Sequence, residues 1–280
     1  MKDADTFFAQ LTPKIEADLP GWYGSGAKLV GEPTFQPRDW SYFFRYAVQV
    51  SEMENRAILV KVRHAEKMNL SQAAVSEKMG QEAREEYETL KSLQSVFSTE
   101  ENSSLFLAIR PLALYEELNA VVMEQAALRT LRSFFRSPKM LMEGQARRVF
   151  EGYLELVGRW LRIFHDCNGS AGEGLLFDTS LYDLARANLD KIKPNLSQKD
   201  RFLLGDLLDK FYKMHSGKVV PYRILHDDFN SANIFVAGDG RICSFDPHNQ
   251  PGSLYIDLAK IITNVETYRM QVVTNGLWVP

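Results

Sequence analysis

The period of the apolar residues changes partway along the chain, and that change restricts the fold more than any other feature. In the first half, apolar residues come in short runs: Ser41 to Val50 is rich in Tyr, Phe and Val, and Arg56 to Val62 is rich in aliphatics. These read as two antiparallel strands joined by the turn-like Ser51-Glu52-Met53-Glu54-Asn55. From about Leu70 to Leu93 a charged helical pattern takes over, with Tyr87, Leu90 and Leu93 at three-residue intervals, which predicts one long surface helix with a single buried face. Leu105 to Ile109 and Ala120 to Met123 read as two further strands. The segment before them all holds Pro13, Pro20, Pro33 and Pro37.

The second half is mostly helical. Val149, Tyr153, Leu156, Trp160 and Ile163 or Phe164 recur at helical spacing between Glu143 and Cys167, predicting a long, deeply packed helix. Gly169 to Gly174 reads as a loop. Helical patterns follow over Thr179 to Ile192 and Gln198 to His215, the second with Ser197 as a good amino-terminal cap. A short hairpin, Asn233 to Val236 and Arg241 to Phe245, turned by Gly238-Asp239-Gly240, is set among them.

Composition narrows the function classes. At 280 residues the chain is long enough for two units or one large bilobal domain. Thirty-three Lys and Arg against 36 Asp and Glu give a net charge of −3, so no global positive field favours nucleic acid as a partner. The two cysteines, Cys167 and Cys243, are too few for a disulfide framework and read as free thiols in a reducing compartment. Met1-Lys2-Asp3-Ala4-Asp5 has acids where a signal peptide has basic residues, which points to a cytoplasmic protein. The apolar stretch from Leu105 to Leu128 is interrupted by Arg110, Glu116, Glu117 and Glu124, so no integral membrane segment is expected.

Polar functional groups are densest around the hairpin. In Leu225-His226-Asp227-Asp228-Phe229-Asn230-Ser231-Ala232-Asn233, Asp228 and Asn233 bracket a short loop, and Asp246 follows the second strand. One loop and one hairpin would bring together a carboxylate able to orient a hydroxyl nucleophile and a pair of hard oxygen donors suited to a magnesium ion that keeps waters and binds phosphate. In the first half, Lys61 stands on the strongly apolar run Ala57-Ile58-Leu59-Val60-Lys61-Val62, where an ammonium is costly unless paired.

The ordered set His226-x-Asp228-x4-Asn233 and Asp246 resembles the catalytic loop and metal aspartate of the protein-kinase-like superfamily. More narrowly it resembles the aminoglycoside phosphotransferase and small-molecule kinase branch. Asp246-Pro247 leading to Ile256-Asp257-Leu258-Ala259, and Leu161-Arg162-Ile163-Phe164-His165 ending the long helix, point the same way. The resemblance, from about Ser41 to Ile262, implies an α+β bilobal fold: a strand-rich N-lobe over 1–124 and a mostly helical C-lobe over 125–280. It implies Asp228 as catalytic base, Asn233 and Asp246 as magnesium ligands, His226 as a holder of the loop and Asp257 as a buried brace. Lys61 resembles the strand lysine that contacts the α- and β-phosphates. Glu86 is its expected partner because Glu86, Leu90 and Leu93 match the family's first helix, with Glu82, Glu85 and Glu88 as competitors. Val121-Val122-Met123-Glu124-Gln125 resembles the linker between lobes, whose backbone would recognise adenine at about Glu124 to Ala126.

Two departures stand out. The segment Glu32-Pro33-Thr34-Phe35-Gln36-Pro37-Arg38-Asp39-Trp40-Ser41 lacks the branch's loop of glycine or small residues, leaving Arg38 or Ser41 as candidate phosphate contacts. Asp227 stands where the branch often has glycine, and a solvent-facing carboxylate is expected there. The implied reaction is transfer of the γ-phosphoryl group of ATP, with GTP the alternative, to a small-molecule hydroxyl of a sugar, amino alcohol or aminoglycoside-like compound. The alternative is a catalytically silent kinase-like nucleotide-binding protein. Only 11 positions separate Asp246 from Asp257, too few for a protein-kinase activation segment. After Asp257 the only acid is Glu266, and Thr179 to Arg201 is slightly basic, which argues against a polycationic acceptor. The chain ends 23 residues after Asp257, which would leave part of the acceptor site to a further segment or a partner. Arg129, Arg132 and Arg136, interleaved with Leu131, Phe134 and Phe135, read as an ordinary solvated face, with contact to an anionic membrane or lipid-linked glycan as the alternative.

Overall fold

The computed structural model of the chain describes residues 2–125, 128–135 and 144–273. The first element is a helix, α1 (Lys2–Tyr23), that runs through Pro13 and Pro20. Phe7, Leu11, Ile15 and Leu19 recur every fourth residue along it and are all buried. This continuous apolar stripe outweighs the two missing amide donors.

The stripe covers a five-stranded antiparallel sheet of order β1-β2-β3-β5-β4. Its strands are β1 (Lys28–Pro37), β2 (Ser41–Gln49), β3 (Asn55–Arg63), β4 (Pro111–Tyr115) and β5 (Ala120–Glu124). Phe44, Tyr46 and Val48 alternate into the core from β2, and Phe7 of α1 stacks on Phe44 with ring centroids 4.9 Å apart. The expected Ser41–Val50 and Arg56–Val62 pair is present, in a register that sets Phe43 opposite Lys61. No strand forms at Leu105 to Ile109. That segment instead exchanges hydrogen bonds with the later hairpin, Leu107 N to Ile242 O at 2.8 Å and Ile242 N to Leu105 O at 3.2 Å. The strand begins at Pro111, an end position where no amide donor is needed.

The single helix expected over Leu70 to Leu93 is two helices, α2 (Leu70–Val75) and α3 (Glu77–Phe97). Asn69 and Gln72 form a capping box on α2, and Ser76 Oγ accepts the Met79 amide at the start of α3. A hydroxyl that satisfies a free helix-start donor breaks the run. A short turn of helix, α4 (Glu100–Ser103), follows.

The carboxy-terminal part is mostly helical. After β6 (Arg129–Thr130) and α5 (Leu131–Phe135) comes the long α6 (Gly144–Cys167). It buries Val157, Trp160, Leu161 and Phe164, while Val149 of the expected stripe is exposed. Trp160 stacks between Phe97 of α3 and Phe229, tying the two parts of the chain through one aromatic column. The expected loop at Gly169 to Gly174 is a strand, β7 (Ser170–Leu175). It pairs with β8 (Val219–Leu225), which pairs in turn with β11 (Gln250–Ser253). Between β7 and β8 stand α7 (Thr179–Ile192) and α8 (Gln198–His215), the latter capped by Ser197 through the Asp200 amide at 3.2 Å. The hairpin is β9 (Ile234–Val236) and β10 (Ile242–Ser244), and the last described helix is α9 (Tyr255–Val273).

The architecture is therefore α+β and bilobal, with a strand-rich amino-terminal part and a mostly helical carboxy-terminal part. Cys167 and Cys243 are free. Among the described residues no helix is long and apolar enough to cross a membrane. In the Arg129 to Arg136 segment Leu131 is buried and Phe134 packs on Tyr153, while Arg136 lies outside the described residues.

Candidate active site

The loop after β8 is held from below by one carboxylate. Asp257, in the first turn of α9 and fully buried, accepts the His226 amide on Oδ2 and the Asp227 amide on Oδ1, both at 2.8 Å. His165, near the end of α6, reaches the same Oδ2 through Nε2 at 3.0 Å. Burial alone would raise the Asp257 carboxyl, but the His165 contact and the two amides outweigh it and hold the group below its ordinary range.

His226 braces the loop as a neutral ring. It is completely buried against Trp160, Phe164 and Phe229, and burial lowers its pKa from the ordinary 6.5 to about 4. Ser244 Oγ donates to the Asn233 carbonyl at 3.0 Å and lies 2.9 Å from His226 Nε2. With its own proton used, the serine oxygen accepts from Nε2, which assigns the imidazole proton to that atom. Nδ1 is left without a partner among the described residues.

Asp227 adopts a left-handed backbone, φ 60°, a conformation that favours glycine. Its carboxylate does not simply face solvent: Lys260 of α9 donates to Oδ1 at 2.6 Å and also to the Asp227 carbonyl. Lys260 is one helical turn beyond Asp257, so the same face of α9 secures both residues of the loop.

Asp228 projects from this frame. Asn230 Nδ2 donates to one carboxylate oxygen at 2.7 Å and Asn233 Nδ2 to the other at 2.6 Å. The carboxylate is thereby fixed in the wall shared by two cavities, one of about 440 Å³ and one of about 680 Å³. The smaller lies between the parts of the chain, with Arg63, His64, Glu82 and Glu85 on one side and Asp228, Asp246 and His248 on the other.

A four-membered ionic cluster borders the smaller cavity through Arg63 and Asp246. Lys61 Nζ, fully buried, donates to Glu86 Oε1 and Oε2 at 2.9 and 3.1 Å, and also to Asp246 Oδ1. Arg63 donates from Nε to Glu86 Oε2 at 2.7 Å and from its terminal nitrogen to the same Asp246 oxygen. Two cations meet two carboxylates, so each buried charge has an opposite partner and the group is neutral overall. Burial by itself would raise the Asp246 carboxyl, but Lys61 and Arg63 hold it far below its ordinary range. Burial likewise opposes the Arg63 charge, and Glu86 with Asp246 outweighs it and raises that pKa. Of the competing glutamates, Glu82 and Glu85 line the smaller cavity and Glu88 pairs with Lys91 at the surface. Arg63 is absent from the expectations above. Its signal was its place two residues after Lys61, which on a strand puts both side chains on one face.

Two oxygens expected to serve a magnesium ion are uncommitted. Asn233 turns its amide nitrogen to Asp228, and neither its Oδ1 nor Asp246 Oδ2 accepts a hydrogen bond among the described residues. An amide oxygen and a carboxylate oxygen are hard donors. Among the described residues no group of three or more His, Cys, Asp or Glu is placed to hold a metal ion.

A narrow apolar slot of about 100 Å³ opens beside the cluster, walled by Leu59, Ile109 and Met123 on one side and Phe235, Cys243 and Phe245 on the other, with Glu124 and Gln125 at its edge. Two apolar walls facing each other suit a flat ring. The amides of Glu124 and Gln125 are already used, donating to Arg110 O at 2.9 Å and Ala57 O at 2.8 Å. The Glu124 side chain pairs with Arg56 at 2.9 Å. Gln125 Oε1 is buried without a partner among the described residues. Ala126 lies outside the described residues.

Between β1 and β2 the chain makes a tight turn closed by Arg38 N to Ser41 O at 2.9 Å. Ser41 lines the 440 Å³ cavity, with its hydroxyl bonded to Trp40 O at 2.7 Å. Arg38 is exposed and outside the cavity wall.

No family model and no curated protein sequence matches this chain. Among solved structures it is similar to a glucosamine kinase, with TM-score 0.57 and 14% identity over 96% of this chain and 65% of that one. It is also similar to glucosamine kinase in complex with glucosamine, ADP and inorganic phosphate, with TM-score 0.54 and 13% identity over 91% and 63%. The chain thus spans just under two thirds of the length of these structures. At this identity the similarity is one of fold: the chain has the protein-kinase-like fold of these small-molecule kinases.

Proposed function

We propose that the chain is an ATP-dependent phosphotransferase that moves the γ-phosphoryl group to a hydroxyl of a small molecule. The observation that carries this reading is the position of Asp228. It is held by two asparagine amides in a wall common to two cavities, one of which is bordered by Arg63 and Asp246. A donor and an acceptor reaching Asp228 from the two sides would meet at its carboxylate.

In this reading Asp228 accepts the proton of the acceptor hydroxyl as its oxygen bonds to the γ-phosphorus and the bond to the β–γ bridging oxygen breaks, releasing ADP. Glu86 holds Lys61 in line with the phosphates, Asn233 and Asp246 would hold magnesium, and His226 and Asp257 keep the loop in place. When bound, the ion neutralises charge on the phosphate oxygens. The apolar slot takes the base, with the linker from Glu124 towards Ala126 at its edge and Gln125 Oε1 as an unused acceptor. An acceptor there suits an exocyclic amino group, which adenine and guanine both carry, so ATP and GTP are both to be tried as donor. The units 1–124 and 125–280 would act as the two lobes that close on the nucleotide.

A second reading, a silent nucleotide-binding protein, is favoured by one observation: Arg63 and Lys61 already share the Asp246 oxygen. ADP formation with ATP and magnesium, screened against pooled sugars, amino alcohols, aminoglycosides and alcohols that carry an alkyl or aryl group, separates the two. Acceptor-dependent turnover that Asp228→Asn removes supports the phosphotransferase. Nucleotide binding without turnover in any pool overturns it in favour of the silent protein.

A further inference from the structure

The cavity of about 680 Å³ on the far side of Asp228 has a composition that selects its occupant. Its walls carry Leu181 of α7, Phe211 of α8, Ile256 and Ala259 of α9, and Phe177, which meets Phe211 edge to face at 5.3 Å. Asp228 is its one carboxylate among the described residues. A polycationic acceptor would find no second acid there.

Several of the polar groups in the wall are already committed. Asn230 donates to Asp228 and accepts the Ala232 amide, Asn264 Oδ1 accepts from Ser231, and Lys260 serves Asp227. Ser253 is the buried one left over: it lines the cavity, is 2% exposed, and its hydroxyl has no partner among the described residues. A buried unpartnered hydroxyl costs free energy that a ligand's polar group would recover. Beyond the cavity, Leu204, Leu207 and Phe211 are exposed at three- and four-residue spacing on α8, and Leu184 is exposed one turn after Leu181 on α7. The apolar lining therefore continues outward along the helix pair.

We infer that the acceptor is an amphipathic alcohol of low charge, with its hydroxyl at Asp228, one further polar group at Ser253 and an apolar body against Phe177, Leu181 and Phe211. This rests on the phosphotransferase reading and specifies its substrate class. A sugar or amine without an apolar body leaves this wall wet, whereas an aryl or alkyl group removes it from water.

The test compares alcohol pairs that differ only in an apolar group, glucose with hexyl glucoside, glycerol with its phenyl ether, and ethanolamine with phenylalaninol, alongside glucosamine and an aminoglycoside. ADP formation and equilibrium binding are both followed. The expected result is that the apolar member of a pair has a kcat/KM roughly tenfold or more above its parent. Phe211→Ala, at a half-exposed position, should erase most of that preference with nucleotide affinity unchanged, and Thr263→Trp, which sets an indole in the cavity wall, should abolish it. Turnover of glucosamine or the aminoglycoside with no gain from the apolar groups overturns the inference and leaves phosphoryl transfer standing. Saturable binding of the apolar alcohols that Thr263→Trp abolishes, without turnover of any alcohol, supports the cavity assignment and overturns the transfer. Neither binding nor turnover overturns both.

Discussion

Arg63 Nε donates to Glu86 Oε2 at 2.7 Å, so the glutamate that faces Lys61 is shared by a second cation from the same strand. Removing one partner from a buried charge group leaves the others uncompensated. In Arg63→Ala, one buried ammonium would face both Glu86 and Asp246. The expected loss of stability is about 3 kcal/mol, read as a lower urea midpoint. Arg63→Lys should recover only part of it, because an ammonium lacks the fork that spans the two carboxylates. An unchanged midpoint in Arg63→Ala would show that the cluster does not need its second cation.

Asp228→Asn keeps the shape of the loop but removes the proton acceptor. The expected outcome is a fall in kcat of roughly 100-fold or more, with the nucleotide dissociation constant within about twofold of the parent because Asp228 is outside the apolar slot. Parallel kinetics and nucleotide titration check it. Equal losses in both would assign Asp228 to nucleotide binding instead.

The pH dependence of stability follows from His226. Its pKa in the folded chain is about 4 against an ordinary 6.5. Between those values the unfolded chain binds a proton that the folded chain does not, so stability is complete above about pH 6.5 and is lost as pH falls towards 4, by a few kcal/mol. Below that window the lowered carboxyls of Asp246 and Asp257 take over, in the same direction. In His226→Gln the slope between pH 6.5 and 4 should flatten. Denaturation midpoints across that range measure it, and an unchanged slope would place the titrating group elsewhere.

Gly80→Ala tests the junction of α2 and α3. Alanine in a helix would gain about 1 kcal/mol, but its Cβ would lie 2.6 Å from Asn119 Oδ1. Asn119 has φ 48° and donates to Ala73 O and Ser76 O at 2.9 and 2.8 Å, so moving it strips both helix-end carbonyls of a partner. The net effect expected is a destabilisation of about 1–2 kcal/mol, seen in urea denaturation. A stabilised variant would mean that Asn119 shifts at no cost.

Local patterns determined much of what could be read from the residues alone. The paired strands at Ser41–Gln49 and Asn55–Arg63, the Ser197 cap, the hairpin at Ile234–Ser244 and the long helix ending at Cys167 all follow from period and turn chemistry. The spacing of His226, Asp228, Asn233 and Asp246 likewise marked out a loop and hairpin that the fold brings together. The four-residue stripe of α1 was also present in the residues, masked by Pro13 and Pro20.

Other features have no local signal. Ser170–Leu175 is rich in glycine and small residues and becomes a strand because β8, more than forty positions later, supplies its hydrogen-bond partners. Glu86 and Arg63 do carry a signal, in the spacing to Leu90 and Leu93 and in the place two residues after Lys61, but that both meet Lys61 is decided by the packing of α3 on the sheet. Asp227 is tied to Lys260 by the approach of α9. Periodicity encodes which face of an element is apolar, while the partners of a buried charge and the pairing of a weak strand depend on contacts between distant segments, which only the assembled fold decides.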